Sequence, residues 1–347
     1  MQPSPESLAQ IDRELLKLIL KRVSETETLA QAGQLVSTAE QNRSISGLVH
    51  ELSPSPEQSR KLRQVLRHIE SCCRSGIASE AISFLGPRHS YSHLAAMEYF
   101  GNAADFQPVA SIPAVFEAVR RGDAHSGIVP IENSTDGGVV DTLSMFVRQE
   151  MQICGEVLLP IHHNLLASGR RDEITEIHSK PQALSQCRHW LMSQFPAATC
   201  IEVSSTTAAA ESAAQHSHIA AVASLPAGIE YGLDVLSRNI EDNGDNVTRF
   251  AVLGARQPEP TGNDKTSMMF QVEHQPGALA ESMTIFSDLK LNLTWIESFP
   301  CPETRAEYLF FVELTGHRLD PAVADAIERL QKFTRRLDIL GSYPRAE

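Results

Sequence analysis

The stretch GIVPIENSTDGGV, residues 127–139, decides how the middle of this chain folds. Its apolar first half, residues 128–131, is typical of a buried strand. The strand ends directly in a carboxylate, an amide and two hydroxyls, which belong to Glu132, Asn133, Ser134 and Thr135. These residue types cap helices and form turns, so one interpretation is a simple turn. The other interpretation is a polar site at the mouth of the core, and the rest of the chain distinguishes the two.

Length and composition indicate a chain of several domains. A chain of 347 residues corresponds to two or three domains, and 42% hydrophobic with 21% charged residues is ordinary for a globular protein. No apolar run is long enough to span a membrane, and the first residues show no secretory signal. The six cysteines have no CxxC spacing, which suggests thiols in a reducing cytoplasm. We therefore expect a cytoplasmic protein without a membrane partner.

The formal charge of −13 bears on the ligands that the chain can bind. It argues against non-specific nucleic-acid binding, because a nucleic-acid surface is itself negative. It also repels small anions at long range. An anionic substrate must therefore be met by local hydrogen-bond donors.

Residues 1–76 read as an all-helical domain. Leu8, Ile11, Leu15 and Leu18 recur at helical spacing, and Arg22 lies on the same seam. A further helix is predicted to begin after Ser55, with Pro56 in its first turn and Gln58 as the capping partner.

From residue 81 the pattern changes to short apolar strands that alternate with helices. This alternation predicts parallel sheets covered on both faces over residues 81–255. A polar linker occupies residues 255–264. Residues 265–342 then follow the order strand–helix–strand–strand–helix–strand of a small α+β domain.

Metal and nucleotide sites lack their usual sequence patterns. His162 and His163 are adjacent, so on a strand they point to opposite faces. His216 and His218 have no evident third ligand. No GxGxxG, GxxxxGK[ST] or GxSxG motif is present. We expect no metal, no cofactor and no serine nucleophile.

Polar clusters instead follow several predicted strands or lie where one begins. In α/β sheets, ligands bind beyond the carboxyl ends of the strands, especially between two such sheets. The clusters therefore predict a cleft lined with neutral donors and suited to a small polar anion. They occupy residues 88–93, 132–135, 179–182, 204–207 and 243–249.

The same stretches resemble the successive motifs of the prephenate dehydratase family, in family order. The matching sequences are FLGPRHSYSHLAA (84–96), GIVPIENSTDGG (127–138), SKPQALSQC (179–187), SSTTAAA (204–210) and DNVTRFAVLG (245–254). GALA (277–280) and ESFP (297–300) resemble the signatures of an ACT regulatory domain. IDRELLKLILKR (11–22) resembles the first helix of an AroQ-type chorismate mutase. The whole chain is thus similar to the fused chorismate mutase–prephenate dehydratase.

The resemblance implies a multidomain fold. It consists of an all-α N-terminal domain over 1–76, a two-lobed α/β domain like that of periplasmic binding proteins over 81–255, and a ferredoxin-like α+β ACT domain over 265–342. Because ACT effector sites form between paired subunits, the resemblance also implies a homodimer.

The implied reaction is loss of the carboxylate and ring hydroxyl of prephenate, which gives phenylpyruvate. The implied catalytic residues are Glu132, Asn133 and Thr248. Glu132 at its apolar strand end is expected to be the general acid, and Thr248 to position the leaving oxygen. The implied substrate-binding residues are Ser90, Ser179, Gln182, Gln186 and Arg249. For Arg249, which should point away from Thr248, a structural ion pair is the alternative.

The first domain departs from the mutase pattern. Arg22 matches a family arginine, but residues 1–10 and 23–42 contain no basic residue, and no glutamine occurs between Gln64 and Gln107. A dianion facing one arginine is poorly paired. We predict little or no mutase activity, with Arg22 vestigial and the helices kept for dimerisation. The alternative is a bifunctional enzyme that uses other basic residues, such as Arg43 or Arg60.

The regulatory domain is expected to bind phenylalanine through Gly277, Ala278, Leu279, Ala280, Glu297 and Ser298. Phe299 replaces the usual arginine of the second signature, so we expect weaker regulation. His89 stands where the family usually has glycine, and a turn with positive φ is expected there.

The competing interpretations are an arogenate dehydratase, a prephenate decarboxylase that retains the hydroxyl, and a non-catalytic ligand-binding protein.

Overall fold

The computed structural model describes residues 5–36, 38–52, 55–75, 77, 80–255, 257–301 and 307–346. Its helices are α1 (Pro5–Gln31), α2 (Thr38–Leu52), α3 (Pro56–Arg74), α4 (Tyr91–Phe100), α5 (Ile112–Arg121), α6 (Val140–Arg148), α7 (Pro181–Gln186), α8 (Arg188–Gln194), α9 (Thr206–Gln215), α10 (Leu225–Glu230), α11 (Ala278–Asp288) and α12 (Pro321–Phe333). None of these described helices is both long and apolar enough to cross a membrane.

The strands account for most of the remaining regular structure. They are β1 (Ala81–Leu85), β2 (Asp105–Val109), β3 (Ser126–Asn133), β4 (Gly137–Gly138), β5 (Ile153–Pro160), β6 (Asn164–Ala167), β7 (Glu176–Ser179), β8 (Thr199–Glu202), β9 (Ile219–Ala223), β10 (Asp234–Ser237), β11 (Val247–Gly254), β12 (Asp264–Gln271), β13 (Leu293–Pro300), β14 (Tyr308–Thr315) and β15 (Arg336–Pro344). Every stretch predicted as a strand between residues 81 and 224 contains one. The short strands β2, β4, β6 and β10 were not predicted.

The chain divides into two compact units, Met1–Ile82 with Ala96–Phe106, and Ser83–Ala95 with Gln107–Glu347. The first unit contains α1, α2 and α3, as the sequence predicts. Ser55 caps α3, because its Oγ accepts a hydrogen bond from the Gln58 backbone N–H at 3.3 Å. The predicted stripe on α1 is not a core within one chain. Its residues Leu8, Ile11, Leu15 and Leu18 are 51–64% exposed.

The second unit begins with two sheets, which form two α/β lobes. The sheet of the first lobe has the strand order β2-β1-β3-β11-β5, with β4 paired to β3. The sheet of the second lobe has the order β10-β6-β9-β7-β8. The chain passes between the lobes twice, from β5 to β6 and from β10 to β11. The predicted two-lobed α/β architecture is confirmed.

The expectation of purely parallel sheets was wrong. β11 runs antiparallel to both β3 and β5, and β6 runs antiparallel to both β9 and β10. β7 runs parallel to both β8 and β9. For β11, the reason is that the chain returns from the second lobe. The strand therefore enters the sheet of the first lobe from the edge that faces the cleft.

The C-terminal sheet has the antiparallel order β13-β14-β12-β15 and follows the predicted element order. One face packs against α11 and α12 through Phe270, Phe286 and Val312. The other face shares a core with the first lobe, in which Phe311 and Tyr343 lie among residues such as Phe146. A Cβ on Gly341 would lie only 2.1 Å from the carbonyl oxygen of Ile153. A glycine is therefore needed where β15 crosses β5.

The turn after β1 contains the histidine that was expected at a positive φ. His89 has φ 64°, which confirms this expectation. Its backbone N–H donates to Nδ1 of His93 at 3.0 Å, and its carbonyl accepts from the Ser224 hydroxyl at 3.2 Å. These bonds hold a histidine in a conformation that glycine adopts more readily.

Candidate active site

Asn133 and Thr248 form the centre of the candidate site. They lie opposite each other where β3 pairs with β11, and Asn133 Nδ2 donates to Thr248 Oγ1 at 2.8 Å. The Asn133 Oδ1 atom accepts from the backbone N–H groups of Thr135 and Asp136, at 2.9 and 3.3 Å. Because backbone N–H groups can only donate, they determine which end of the Asn133 amide is oxygen. The polar strand end is thus both a turn and a site.

Asn246 extends this pair towards the second lobe. Its Oδ1 accepts from Asn133 Nδ2 at 3.1 Å, and its Nδ2 donates to Gln186 Oε1 at 3.0 Å. Gln186, predicted from the resemblance, therefore joins the pair through a residue that the sequence reading did not select. The signal was available, since Asn246 precedes Thr248 by two positions and so shares its side of an extended chain.

Gln182 lies on the same side of the second lobe, at the start of α7. Its Nε2 donates to the Asp136 carboxylate, which belongs to the turn that orients Asn133. The second lobe therefore contacts the turn directly across the cleft. Gln182 and Gln186 both belong to α7 of the second lobe, across the cleft from Asn133 and Thr248.

The two predicted serines use their hydroxyl protons within the chain. Ser179 is fully buried, and its Oγ donates to the Val222 carbonyl at 2.6 Å. The Oγ of Ser90 donates to the Leu85 carbonyl at 3.1 Å and accepts from the His93 N–H at 3.4 Å. In this arrangement both hydroxyls hold the strand ends that surround the cleft.

Glu132 and Arg249 do not join Asn133 and Thr248, although the sequence reading put Glu132 beside Thr248. Glu132 lies opposite Arg249 in the β3–β11 ladder, and Arg249 Nε donates to Glu132 Oε2 at 2.9 Å. Successive side chains of a strand point to opposite faces. Glu132 and Asn133 therefore face opposite ways, and so do Arg249 and Thr248. The expected Glu132–Thr248 pairing is corrected to Asn133–Thr248.

Arg249 is the centre of a buried ion cluster between the first lobe and the C-terminal sheet. Its Nη1 lies 2.6 Å from Glu313 Oε1 and 3.4 Å from Glu156 Oε2. Lys265 Nζ bridges the same two carboxylates at 3.2 and 3.0 Å. The guanidinium also lies over the Trp295 ring, 5.0 Å from its centre. Of the two interpretations of Arg249, the structural ion pair matches this geometry.

The cluster is electrostatically coupled. Burial alone would raise the pKa of the Glu313 carboxyl, but the charges of Arg249 and Lys265 outweigh burial and hold that pKa below its ordinary value. Burial alone would lower the pKa of Arg249, and the surrounding acidic groups, led by Glu313, raise it instead. Glu313 and Arg249 are therefore both charged in the folded protein at neutral pH.

The residues expected to bind an effector lie on two faces of the C-terminal sheet. Gly277, with φ 92°, precedes α11. Ser298 lies opposite Phe310, which packs with α11, so Ser298 shares the face that α11 covers. Glu297 lies opposite Phe311 on the other face, and its Cγ and Cδ would be 3.3 Å from a Cβ on Gly138. Within one chain, Glu297 therefore contacts the first lobe.

Arg22 is occupied by an ion pair within the first unit. Its guanidinium contacts the Glu70 carboxylate, which also accepts from Arg74 on α3. The side chains of Arg43 and Arg60 lie outside the described residues. Within the ranges that the structure describes, no group of three or more acidic, histidine or cysteine side chains could hold a metal.

The comparisons with known proteins agree with this geometry. The sequence model of the prephenate dehydratase family matches residues 82–258. A bifunctional chorismate mutase/prephenate dehydratase of Aquifex aeolicus is 37% identical and covers 98% of this chain and 97% of the relative. One of Pseudomonas aeruginosa is 36% identical, covering 97% and 95%. The crystal structure of prephenate dehydratase from Arthrobacter aurescens in complex with L-Phe has a TM-score of 0.71 at 36% identity, and covers 77% of this chain and 90% of that one.

Two α/β lobes, a cleft of neutral hydrogen-bonding groups between them and an added α+β sheet define the class of protein. It is an enzyme with a two-lobed α/β catalytic domain. More particularly, the chain belongs to the prephenate dehydratase family.

We predict that Glu313→Gln lowers the free energy of unfolding by about 3–5 kcal/mol, because Arg249 and Lys265 each lose one of their buried charged partners. The matched control is Glu328→Gln, which breaks an exposed helical pair with Lys332 and should change stability little. Urea unfolding followed by fluorescence would measure both. A Glu313→Gln protein as stable as the control would show that the cluster does not hold the two sheets together.

Proposed function

We propose that the protein converts prephenate to phenylpyruvate at the Asn133–Thr248 pair. The observation that supports this most directly is the polarity of the pair. Because Asn133 Oδ1 accepts from two backbone N–H groups, its Nδ2 must be the donor to Thr248 Oγ1. A hydroxyl that accepts from an amide keeps its own proton for another acceptor. Thr248 is therefore arranged to donate to a substrate oxygen.

This polarity matches the chemistry of the reaction. When the ring carboxylate leaves as carbon dioxide, its electron pair moves into the ring and expels the ring hydroxyl, which takes one proton and leaves as water. Aromatisation drives the process, so the enzyme has mainly to stabilise the departing hydroxyl. We assign the hydrogen bond to this oxygen to Thr248. A threonine hydroxyl is too weak an acid to be the final proton source, and we assign that proton to solvent.

Neutral amides are proposed to hold the rest of the substrate. Gln186 and Asn246 are fixed in orientation by Asn133, and Gln182 closes on the same turn through Asp136. Such groups can bind carboxylate and keto oxygens without adding charge to the cleft. We propose that Glu132 acts from the opposite face of β3, where it holds Arg249 and thereby the strand that carries Thr248.

We predict that the purified protein forms phenylpyruvate from prephenate, measured by absorbance at alkaline pH. Thr248→Val should lower kcat by about 10²- to 10³-fold, since it removes the donor to the leaving oxygen while keeping the side-chain volume. Thr248→Ser, the matched control, should retain most of the activity. Turnover of arogenate in place of prephenate, or full activity of Thr248→Val, would contradict the proposal.

Chorismate mutase is the second candidate activity, because the relatives that match almost the whole chain are named for both activities. We nevertheless propose that residues 1–76 have little of it. Arg22 is paired with Glu70, so within one chain its charge is already neutralised. Arg74 is the other basic residue that contacts Glu70, and it is bound to the same carboxylate. In the assay above, product from chorismate alone would show that the mutase is active.

We propose that residues 265–342 are an ACT domain that binds phenylalanine beside the start of α11, on the face that carries Ser298. A solved relative contains L-Phe, and the element order here is that of the ferredoxin-like ACT fold. Phe299, which replaces the usual arginine, packs edge-on against Phe311 in the core shared with the first lobe. It therefore faces away from α11.

We predict that phenylalanine binds the protein and that Gly277→Ala weakens this binding by about tenfold, because a side chain strains the positive φ of this residue. Gly262→Ala is the matched control. Gly262 also has a positive φ and open space around it, but lies in a loop away from α11. Isothermal titration calorimetry would compare the two. Equal weakening in both variants would place the effector elsewhere.

We propose a homodimer in which the exposed apolar residues of α1 pack against those of a second copy. The exposed leucines extend along a 27-residue helix, which gives a surface long enough for a self-complementary interface.

We predict that Leu15→Glu combined with Leu18→Glu gives a monomer in sedimentation velocity, because charged residues replace apolar ones at the centre of the proposed interface. Lys17→Glu also adds negative charge to α1 without changing its apolar stripe, and should leave a dimer. A double variant that stays dimeric would move the interface away from α1.

A further inference from the structure

His163 is a buried histidine that the proposed mechanism does not use. It lies between β5 and β6 and is 2% exposed. Its Nε2 lies 2.9 Å from Gln186 Oε1, and its Nδ1 lies 3.1 Å from the Tyr91 hydroxyl. Its backbone N–H donates to Glu241 Oε2 at 2.8 Å. The ring is thus held at both of its nitrogens, and Glu241 holds the backbone of the same residue.

The hydrogen-bond chain that starts at Asn133 determines the tautomer of this ring. Asn133 Nδ2 is a donor, so the atom of Asn246 that it contacts is the oxygen, and the amide nitrogen of Asn246 faces Gln186. The atom of Gln186 that it contacts must then be Oε1, an acceptor. His163 Nε2 contacts the same oxygen, so it carries the proton.

Tyr91 supports this tautomer from the other side of the ring. With the proton on Nε2, the Nδ1 atom of His163 is an acceptor, and it faces the Tyr91 hydroxyl. That hydroxyl also lies 2.8 Å from the carbonyl oxygen of His162, which can only accept. The hydroxyl has one proton, which it shares between these two acceptors. The hydrogen bonds from the backbone of Thr135 and those from Tyr91 therefore converge on the oxygen of Gln186.

The consequence falls on Gln186. Its oxygen is held by two donors, Asn246 Nδ2 and His163 Nε2, one from each of the two segments that cross between the lobes. Its amide nitrogen has no hydrogen-bond partner among the described residues, and the side chain is only partly buried. A Gln186 amide anchored through its oxygen presents both N–H groups to a ligand. An amide that could rotate would present its oxygen to an anionic substrate for part of the time.

We propose that His163, supported by Tyr91, is a positioning residue that fixes the Gln186 amide with its N–H groups towards the substrate. This inference rests on the proposed function, because it assigns Gln186 to substrate binding. His163 does not touch the substrate in this assignment. It acts through Gln186, and it determines the affinity for the carboxylate or keto oxygen that Gln186 contacts.

The surroundings of His163 favour its neutral form. Burial lowers the pKa of His163, and the hydrogen bond that it donates to Gln186 and the charge of Glu241 do not offset this. Burial likewise raises the pKa of the Tyr91 hydroxyl far above its ordinary value. Both groups therefore stay neutral at physiological pH, as these hydrogen bonds require. The groups beyond them are the amides of Gln186, Asn246 and Asn133, which do not titrate.

The test is steady-state kinetics with prephenate on variants of the full chain. His163→Leu replaces the ring with an apolar side chain of similar volume and removes the donor to Gln186. It should raise KM about tenfold, which is the effect of one hydrogen bond, with a much smaller change in kcat. His163→Gln places an amide N–H near the position of Nε2 and should restore KM to within about threefold of wild type. A purely structural role would instead lower stability and kcat in both variants.

Two further measurements test the positioning role of His163 independently. His163→Leu should have no additional effect on KM in a Gln186→Leu background, because the interaction it supports is already lost. Tyr91→Phe removes only a hydroxyl and should raise KM by a smaller factor, which covers the case in which His163→Leu does not fold. His162→Gln is the matched control. Its exposed side chain contacts Glu241, and it should behave like wild type.

The outcomes separate this proposal from the proposed function. If the wild-type protein does not convert prephenate, the proposed function is wrong, and the assignment of Gln186 fails with it. If the wild type is active but His163→Leu and Tyr91→Phe leave KM unchanged, only the positioning role is overturned. Equal KM values for His163→Leu and His163→Gln would also overturn it, because the donor would then not matter.

Discussion

The buried guanidinium of Arg249 is the interaction on which the rest of the structure depends. It is surrounded by the carboxylates of Glu132, Glu156 and Glu313, which come from three different strands. A charge buried at this depth is tolerated only where its partners are fixed. The guanidinium therefore holds β3, β5 and β14 in one arrangement. It joins the first lobe to the C-terminal sheet at the strand that also carries Thr248.

Strand alternation gives β11 two roles in the same stretch. Arg249 faces the C-terminal sheet, and its neighbour Thr248 faces the cleft and Asn133. The same division holds on β3, where Glu132 faces Arg249 and Asn133 faces Thr248. Glu297 reaches Gly138 on the strand next to Glu132. The C-terminal sheet is thus in contact with β11 and with β4, the neighbour of β3.

Most of the fold was predictable because it depends on local patterns. The Ser55 cap, the alternating strands and helices, and the element order after residue 264 all follow from spacing and residue type. Asn133, Thr248, Gln182 and Gln186 were predicted from family motifs, and they meet in the structure. The partner of Thr248 was assigned wrongly. Glu132 was preferred for its chemistry, although alternation along β3 already placed it on the face opposite Asn133.

The sequence by itself determined which side chains share a face, because alternation along a strand is local. It also determined that the turn after β3 is polar. Only the tertiary structure decided the register that sets Asn133 opposite Thr248, the antiparallel return of β11, and the contact of both Asn246 and His163 with one oxygen of Gln186. These features depend on pairs of residues far apart in the chain. No local pattern encodes them, since hydrogen-bond direction is set by the partner that each group meets in the folded protein.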